Sequence, residues 1–135
     1  MAHRSKKQIA TFLGGNKGLS IAGKHAYAYS GIVGVTGTSD PTTLLDFQTG
    51  KKIIKCIVQF HYSVLSGDDI TYTIKFNGEV IMRYLTSESV STAIKSAEAI
   101  YLVLPPLTRV ECLALNTTAT TARDHTVTLR GTVYV

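Results

Sequence analysis

The chain reads as an all-β protein: an antiparallel two-sheet β-sandwich of jelly-roll type, with about eight strands and an extended basic N-terminal arm. Three observations point there. From residue 26 onward, apolar and polar residues alternate with period two, the repeat of a half-buried strand. Clusters of Gly, Pro, Asn and Asp interrupt these runs at short intervals, as turns between strands require. No long segment carries a helical repeat, so the strand–helix alternation of a parallel α/β sheet is not expected. An immunoglobulin-like sandwich is the alternative, but that fold leads one to expect a buried Trp and this chain has none. No internal repeat points to a propeller or solenoid.

The clearest strand covers 54–64, where Ile54, Cys56, Val58, Phe60, Tyr62 and Val64 share one face. The next, 70–76, places Ile70, Tyr72, Ile74 and Phe76 together. Asn77-Gly78 follows directly, and 79–85 resumes as a strand. Asn-Gly between alternating runs signals a type I′ hairpin, because both central residues need positive φ. Further strands are expected at 26–35, 42–47, 99–104, 107–115 and 126–134. Ser39-Asp40-Pro41, Thr49-Gly50-Lys51-Lys52 and Pro105-Pro106 separate them, and the polar stretch 116–124 links the last two. Residues 89–98 are the one place where a helical turn is conceivable, though their Val, Ser and Thr favour it weakly. The expected core comprises Cys56, Val58, Phe60, Tyr62, Ile70, Tyr72, Ile74, Val80, Leu102, Val127 and Leu129, with Ile57, Ile81 and Leu85 facing outward.

Length and composition bound the function. At 135 residues the chain has room for one domain, and 44% hydrophobic with 17% charged residues argues against disorder. No apolar run approaches the roughly 18 to 20 residues of a membrane span. The charge is unevenly placed. Residues 1–25 carry Arg4, Lys6, Lys7, Lys17 and Lys24 and no acid, which accounts for the whole net charge of +5. The rest is neutral, so the expected division is a basic arm, 1–25, and a sandwich domain, 26–135. A basic arm on a neutral body suits a partner with a negative surface. Ile9, Phe12 and Leu13 add apolar points among the cations. The expected partner-binding set is therefore Arg4, Lys6, Lys7, Ile9, Phe12, Leu13, Lys17 and Lys24. The run Ile9–Leu13 is too short for a secretory h-region, and Gly14-Gly15-Asn16-Lys17-Gly18 reads as a hinge rather than a phosphate loop.

No catalytic, cofactor or metal constellation is expected. Gly67-Asp68-Asp69 matches a polymerase metal signature, but the chain is too short for a polymerase and lacks a second acidic motif, so it reads as the Gly and Asp of a tight turn. His3, His25, His61 and His125 are scattered, and Cys56 with Cys112 has no metal-ligand spacing. Both cysteines lie in strand-like runs and are expected as buried thiols, with a disulfide the lesser alternative. Asn116-Thr117-Thr118 fits a glycosylation pattern and reads as a polar loop.

The segment from Ile100 through Leu-Pro-Pro-Leu to Asn116, the Thr-rich loop after it, and the closing strand ending Gly131-Thr-Val-Tyr134 resemble the C-terminal hairpin of small tailed-bacteriophage capsid decoration or cement proteins. The resemblance implies a non-enzymatic virion protein that binds the outer capsid lattice. Its partner would be the major capsid protein, often engaged by a homotrimer, with assembly in the host cytoplasm. No functional residue carries over from it one by one. Two other readings stand beside it. One is a receptor- or carbohydrate-binding sandwich of a tail or fibre, using Tyr27, Tyr29, Tyr101 and Tyr134 for sugar stacking. The other is a small coat protein whose arm binds nucleic acid, for which five charges are few.

Overall fold

A computed structural model describes residues 18–35, 40–64, 69–87, 93–117 and 123–134. Eleven strands are present among them: β1 (Ser20–Ala22), β2 (His25–Tyr29), β3 (Val33–Val35), β4 (Thr42–Gln48), β5 (Ile53–Val64), β6 (Asp69–Phe76), β7 (Glu79–Ser87), β8 (Ala93–Ser96), β9 (Ile100–Leu104), β10 (Arg109–Asn116) and β11 (Arg123–Tyr134). They form two antiparallel sheets with no helix among the described residues. The first sheet has seven strands around the central pair β11 and β5, and the second runs β4-β10-β6-β7.

Two of the strands in the first sheet are broken. β2 and β3 both pair with β11 on the side away from β5, and β8 and β9 both pair with β5 on the side away from β11. Each break is tied to the neighbouring strand. The Ser30 hydroxyl accepts from Val127 N at 2.9 Å, and Ala97 N donates to Phe60 O at 2.8 Å. Gly31, with φ +71°, supplies the bend between β2 and β3. With each broken strand counted once, the first sheet reads β1, β2/β3, β11, β5, β8/β9. Setting aside the short β1 leaves eight strands that distribute between the sheets in jelly-roll order.

The core lies between the sheets. Cys56, Val58, Phe60 and Tyr62 of β5, Ile70, Tyr72 and Ile74 of β6, and Val127 and Leu129 of β11 are buried in it, as their alternation predicts. Leu102 is half-buried and packs on its margin. The Asn77-Gly78 hairpin is present, with φ of 52° and 85°. Val80 is a correction: it is 46% exposed. A bulge shifts the β6–β7 register, so Ile74 faces Met82 while Lys75 faces Val80. Ile81 is the extra residue, and it turns Val80 onto the outer face that Lys75 occupies.

Other boundaries also move. Residues 93–96 form β8 instead of a helical turn, because their backbone completes the ladder of His61–Val64 on the open side of β5. Leu107 sits in a turn with φ +53°, so β10 begins at Arg109. Asn116 is a buried residue at the end of β10, not part of a polar loop. Residues 18–25 belong to the first sheet and not to a separate arm: Gly18 is buried, Leu19 packs against the core, and β1 pairs with β2. Gly67 and Asp68 lie outside the described residues, and Asp69 opens β6.

Cys56 and Cys112 are buried, free thiols. Burial pushes both up to about 12, helped at Cys112 by neighbouring Cys56 and Glu111. Burial, with Tyr62 and Tyr84 nearby, also raises the Tyr72 phenol. In each case the folded state holds a proton that the unfolded chain releases first. Stability is therefore full below about pH 8.5, the ordinary thiol value, and is lost as pH climbs from there. Urea midpoints should stay level from neutral pH to about 8.5 and then fall steadily through about pH 11. A flat profile across that alkaline range would contradict the burial of these groups. Neither thiol should react with a disulfide reagent until the protein is unfolded.

Candidate functional site

The first sheet is one strand wider than the second, so β1 overhangs the edge beyond β4. Leu19 and Ile21 point to the same side as the core but extend past it. Together with Phe47 of β4, Ile54 of β5 and Val133 of β11 they line an apolar cleft of about 660 Å³. Gly23 and Gly50 contribute backbone to its walls, and Gln48, Lys51 and Lys52 complete it. No acidic residue lines it among the described residues.

The backbone of the turn that carries Lys51 and Lys52 is held in place. The Thr49 hydroxyl accepts from Thr108 N at 2.8 Å and donates to Pro105 O at 2.7 Å. Thr49 N donates to Thr108 O at 2.9 Å, and Leu107 N to Gly50 O at 2.7 Å. These bonds pin the turn bearing Lys51 and Lys52 to the turn between β9 and β10. Lys24 stands in the β1–β2 turn, where Gly23 takes φ +63°, and its carbonyl accepts from Val133 N at 2.8 Å. All three lysines are exposed. Of the expected arm residues only Lys24 is described; Arg4, Lys6, Lys7, Ile9, Phe12, Leu13 and Lys17 lie outside the described residues. Lys51 and Lys52 are functional candidates that the sequence reading took for turn residues alone. A double lysine in a turn is the only local signal they give.

The two outer faces of the sandwich differ. On the second sheet, Arg109 donates to both carboxylate oxygens of Asp46, at 3.0 and 2.8 Å, with Glu111 at 3.6 Å. The outer face of the first sheet is aromatic and cationic. Strand register aligns Ser20, Tyr27, Arg130, Ile57 and Tyr101 in one row across β1, β2, β11, β5 and β9. Next to it run Ala22, His25, Thr132, Lys55 and Val103, and on the other side Tyr29, Thr128 and Gln59. The Lys55 ammonium lies 5.0 Å from the ring centre of Tyr134. The four tyrosines singled out from sequence thus share this face. His3 lies outside the described residues; among the others His25 is exposed, and His125 is buried with its Nδ1 2.8 Å from the Tyr72 hydroxyl. Among the described residues no three His, Cys, Asp or Glu side chains come together as a metal site would require.

No protein-family model matches the chain, and no curated protein matches it in sequence. Solved structures do resemble it in shape. A chain of the infectious bursal disease virus Gx strain aligns with a TM-score of 0.52 and 10% identity, covering 82% of this chain and 33% of that one. This chain therefore spans about a third of the viral chain's length. Eiger TNF from S. frugiperda aligns with a TM-score of 0.50 and 16% identity, over 82% of this chain and 94% of that one. A family 35 carbohydrate-binding module from Clostridium thermocellum aligns more loosely, with a TM-score of 0.46 and 11% identity over 76% of this chain and 90% of that one. At such identities the likeness is one of fold: a two-sheet β-sandwich.

Proposed function

We propose that the protein is a non-enzymatic structural component of a virus particle, a decoration or cement protein bound to the outer capsid lattice. The observation that carries this reading is the cleft at the root of the arm. Its interior is apolar, Lys51 and Lys52 line it, Lys24 follows its wall residue Gly23 in the chain, and the basic, apolar-studded segment 1–17 immediately precedes Gly18 and the cleft residue Leu19 in sequence. The partner it fits is an extended segment with acidic and apolar residues on the major capsid protein. Such a segment pairs with β1, an edge strand among the described residues, and puts its apolar side chains into the cleft, a mode in which backbone pairing gives affinity and the pocket gives selectivity. The jelly roll supports the reading because viral capsid domains use it, and so does the likeness in fold to the virus chain.

A closed homotrimer completes the proposal. β7 is a nine-residue edge strand bearing exposed Val80, Ile81 and Leu85, and symmetric assembly is one way to cover such an edge. Sedimentation of the released protein as a monomer at micromolar concentration would count against the trimer.

Attachment is tested on particles stripped of the protein. Because β1 belongs to the sheet, the informative deletion is 1–17, which leaves Leu19 and β1 in place. That deletion, and separately Lys51→Glu with Lys52→Glu, should leave the fold intact and weaken rebinding at least tenfold, with a smaller salt dependence. Rebinding at wild-type strength by both variants would overturn the attachment site. Hundreds of copies per particle are expected, whereas a handful would favour a fibre or receptor binder. A steep loss of affinity for nucleic acid with salt would favour the coat-protein reading.

A further inference from the structure

The aromatic–cationic face of the first sheet lies on the side of that sheet opposite the attachment cleft, since Thr132 and Lys55 point outward where Val133 and Ile54 point inward. From its chemistry we infer that this face is a second binding site, for a carboxylated sugar at the end of a glycan.

The site is a shallow depression of about 490 Å³, lined by Tyr27, Tyr29, Tyr101, Lys55, Arg130 and Thr132 among others. That volume is within the range of small-ligand sites, roughly 300 to 1,000 Å³. Tyr101 is 77% exposed and Tyr29 57%. The rings of Tyr27 and Tyr29 stand 5.6 Å apart, so two aromatic surfaces flank one side of the depression and Tyr101 the other. Solitary exposed tyrosines are ordinary. Three around one hollow, with an arginine between them, are not what a merely solvated sheet face requires.

Arg130 decides the ligand's charge. It stands in the row between Tyr27 and Tyr101, it has no ion pair among the described residues, and no acid lines the depression. The outward-facing acid of its own strand, Asp124, is six residues away, about 20 Å along the strand. A guanidinium takes a carboxylate through two parallel N–H···O bonds, a geometry that a flat acid group satisfies and a neutral hydroxyl does not. Lys55 adds to the positive field from the adjacent row. The hydroxyl of Thr132 supplies a donor and acceptor of the kind sugar hydroxyls need, while the tyrosine faces suit the apolar C–H side of a pyranose ring.

The same pattern disfavours the competing occupants. A second copy docked face to face would set Arg130 and Lys55 against their own kind. A nucleic-acid strand calls for a track of cations along its backbone, and here the cations occupy two neighbouring rows only. This site is independent of the capsid reading, because it uses neither the arm nor the cleft.

The probes are 3′-sialyllactose and tri-galacturonate, with lactose and the methyl ester of sialyllactose as neutral counterparts and oligothymidylate as the nucleic-acid arm. Titration of isotope-labelled full-length protein is followed by NMR. At least one acidic sugar should shift signals of Tyr27, Tyr101 and Arg130 at millimolar concentration, with the neutral counterparts at least tenfold weaker. Arg130→Gln should erase that preference, and Tyr101→Ala should weaken acidic and neutral sugars alike by several-fold. Both are surface changes, and unchanged spectra elsewhere verify the fold. No binding of either acidic sugar, equal binding of ester and acid, or tighter binding of oligothymidylate would each overturn the proposal. Lys51→Glu with Lys52→Glu should weaken attachment and leave sugar binding unchanged, so the failure of one reading is distinguishable from failure of the other.

Discussion

Gly131→Ala should unfold the protein or bring it close to unfolding. Gly131 lies in β11, paired with Cys56 on one side and Ala26 on the other, at the centre of the first sheet. A Cβ there would stand 2.7 Å from the Cys56 Cβ and 2.8 Å from its Cα, and would clash with the Lys55 carbonyl oxygen. These are atoms of a central strand paired on both sides, so no flexible side-chain end gives way. Overpacking of a core typically costs about 1 to 3 kcal/mol, and a clash with backbone belongs at or above the top of that range. Gly50→Ala is the control: its Cβ would meet nothing within 4 Å, so its unfolding free energy should stay within about 0.5 kcal/mol of wild type. Urea unfolding followed by circular dichroism measures both. Equal stability of the two variants would mean that β5 and β11 are more widely separated at this point than described.

Phe60→Ala should cost about 3 to 5 kcal/mol, the range for emptying a filled aromatic site. The ring has no exposed surface and stacks on Tyr72 with centres 4.1 Å apart. Tyr72 in turn holds His125 through its hydroxyl, so the cavity would open beside a buried polar pair that cannot be hydrated without further rearrangement. Phe60→Leu, which refills most of the volume, should recover much of the loss. A cost below about 1 kcal/mol for the alanine variant would reverse the assignment of inner and outer faces along β5.

The sandwich was legible because its signals are local. Alternation along 54–64 and 70–76 marked which side of each strand is buried, and Asn77-Gly78 marked a hairpin by the φ values it tolerates. Val80 shows where local reading ends. A bulge is a property of two strands in register, and one extra residue, Ile81, reverses the phase for the residue before it. The same holds for β8, whose backbone acquires a ladder only because β5 outruns β9, and for residues 18–25, whose excess charge concealed a strand and a core contact.

The candidate sites divide in the same way. Sequence by itself determined the all-β class, most of the core, the basic character of the first 25 residues and the tyrosines available for contact, since each follows from composition or from period two. Only the tertiary structure brought Lys51 and Lys52 to the mouth of a cleft beside Leu19 and Ile21, and set Arg130 between Tyr27 and Tyr101. The physical reason is that antiparallel register, not chain distance, decides which side chains share a face. Pairing β11 with both β2 and β5 aligns residues about a hundred and about seventy positions apart within neighbouring strand spacings of roughly 5 Å, a juxtaposition no single strand encodes.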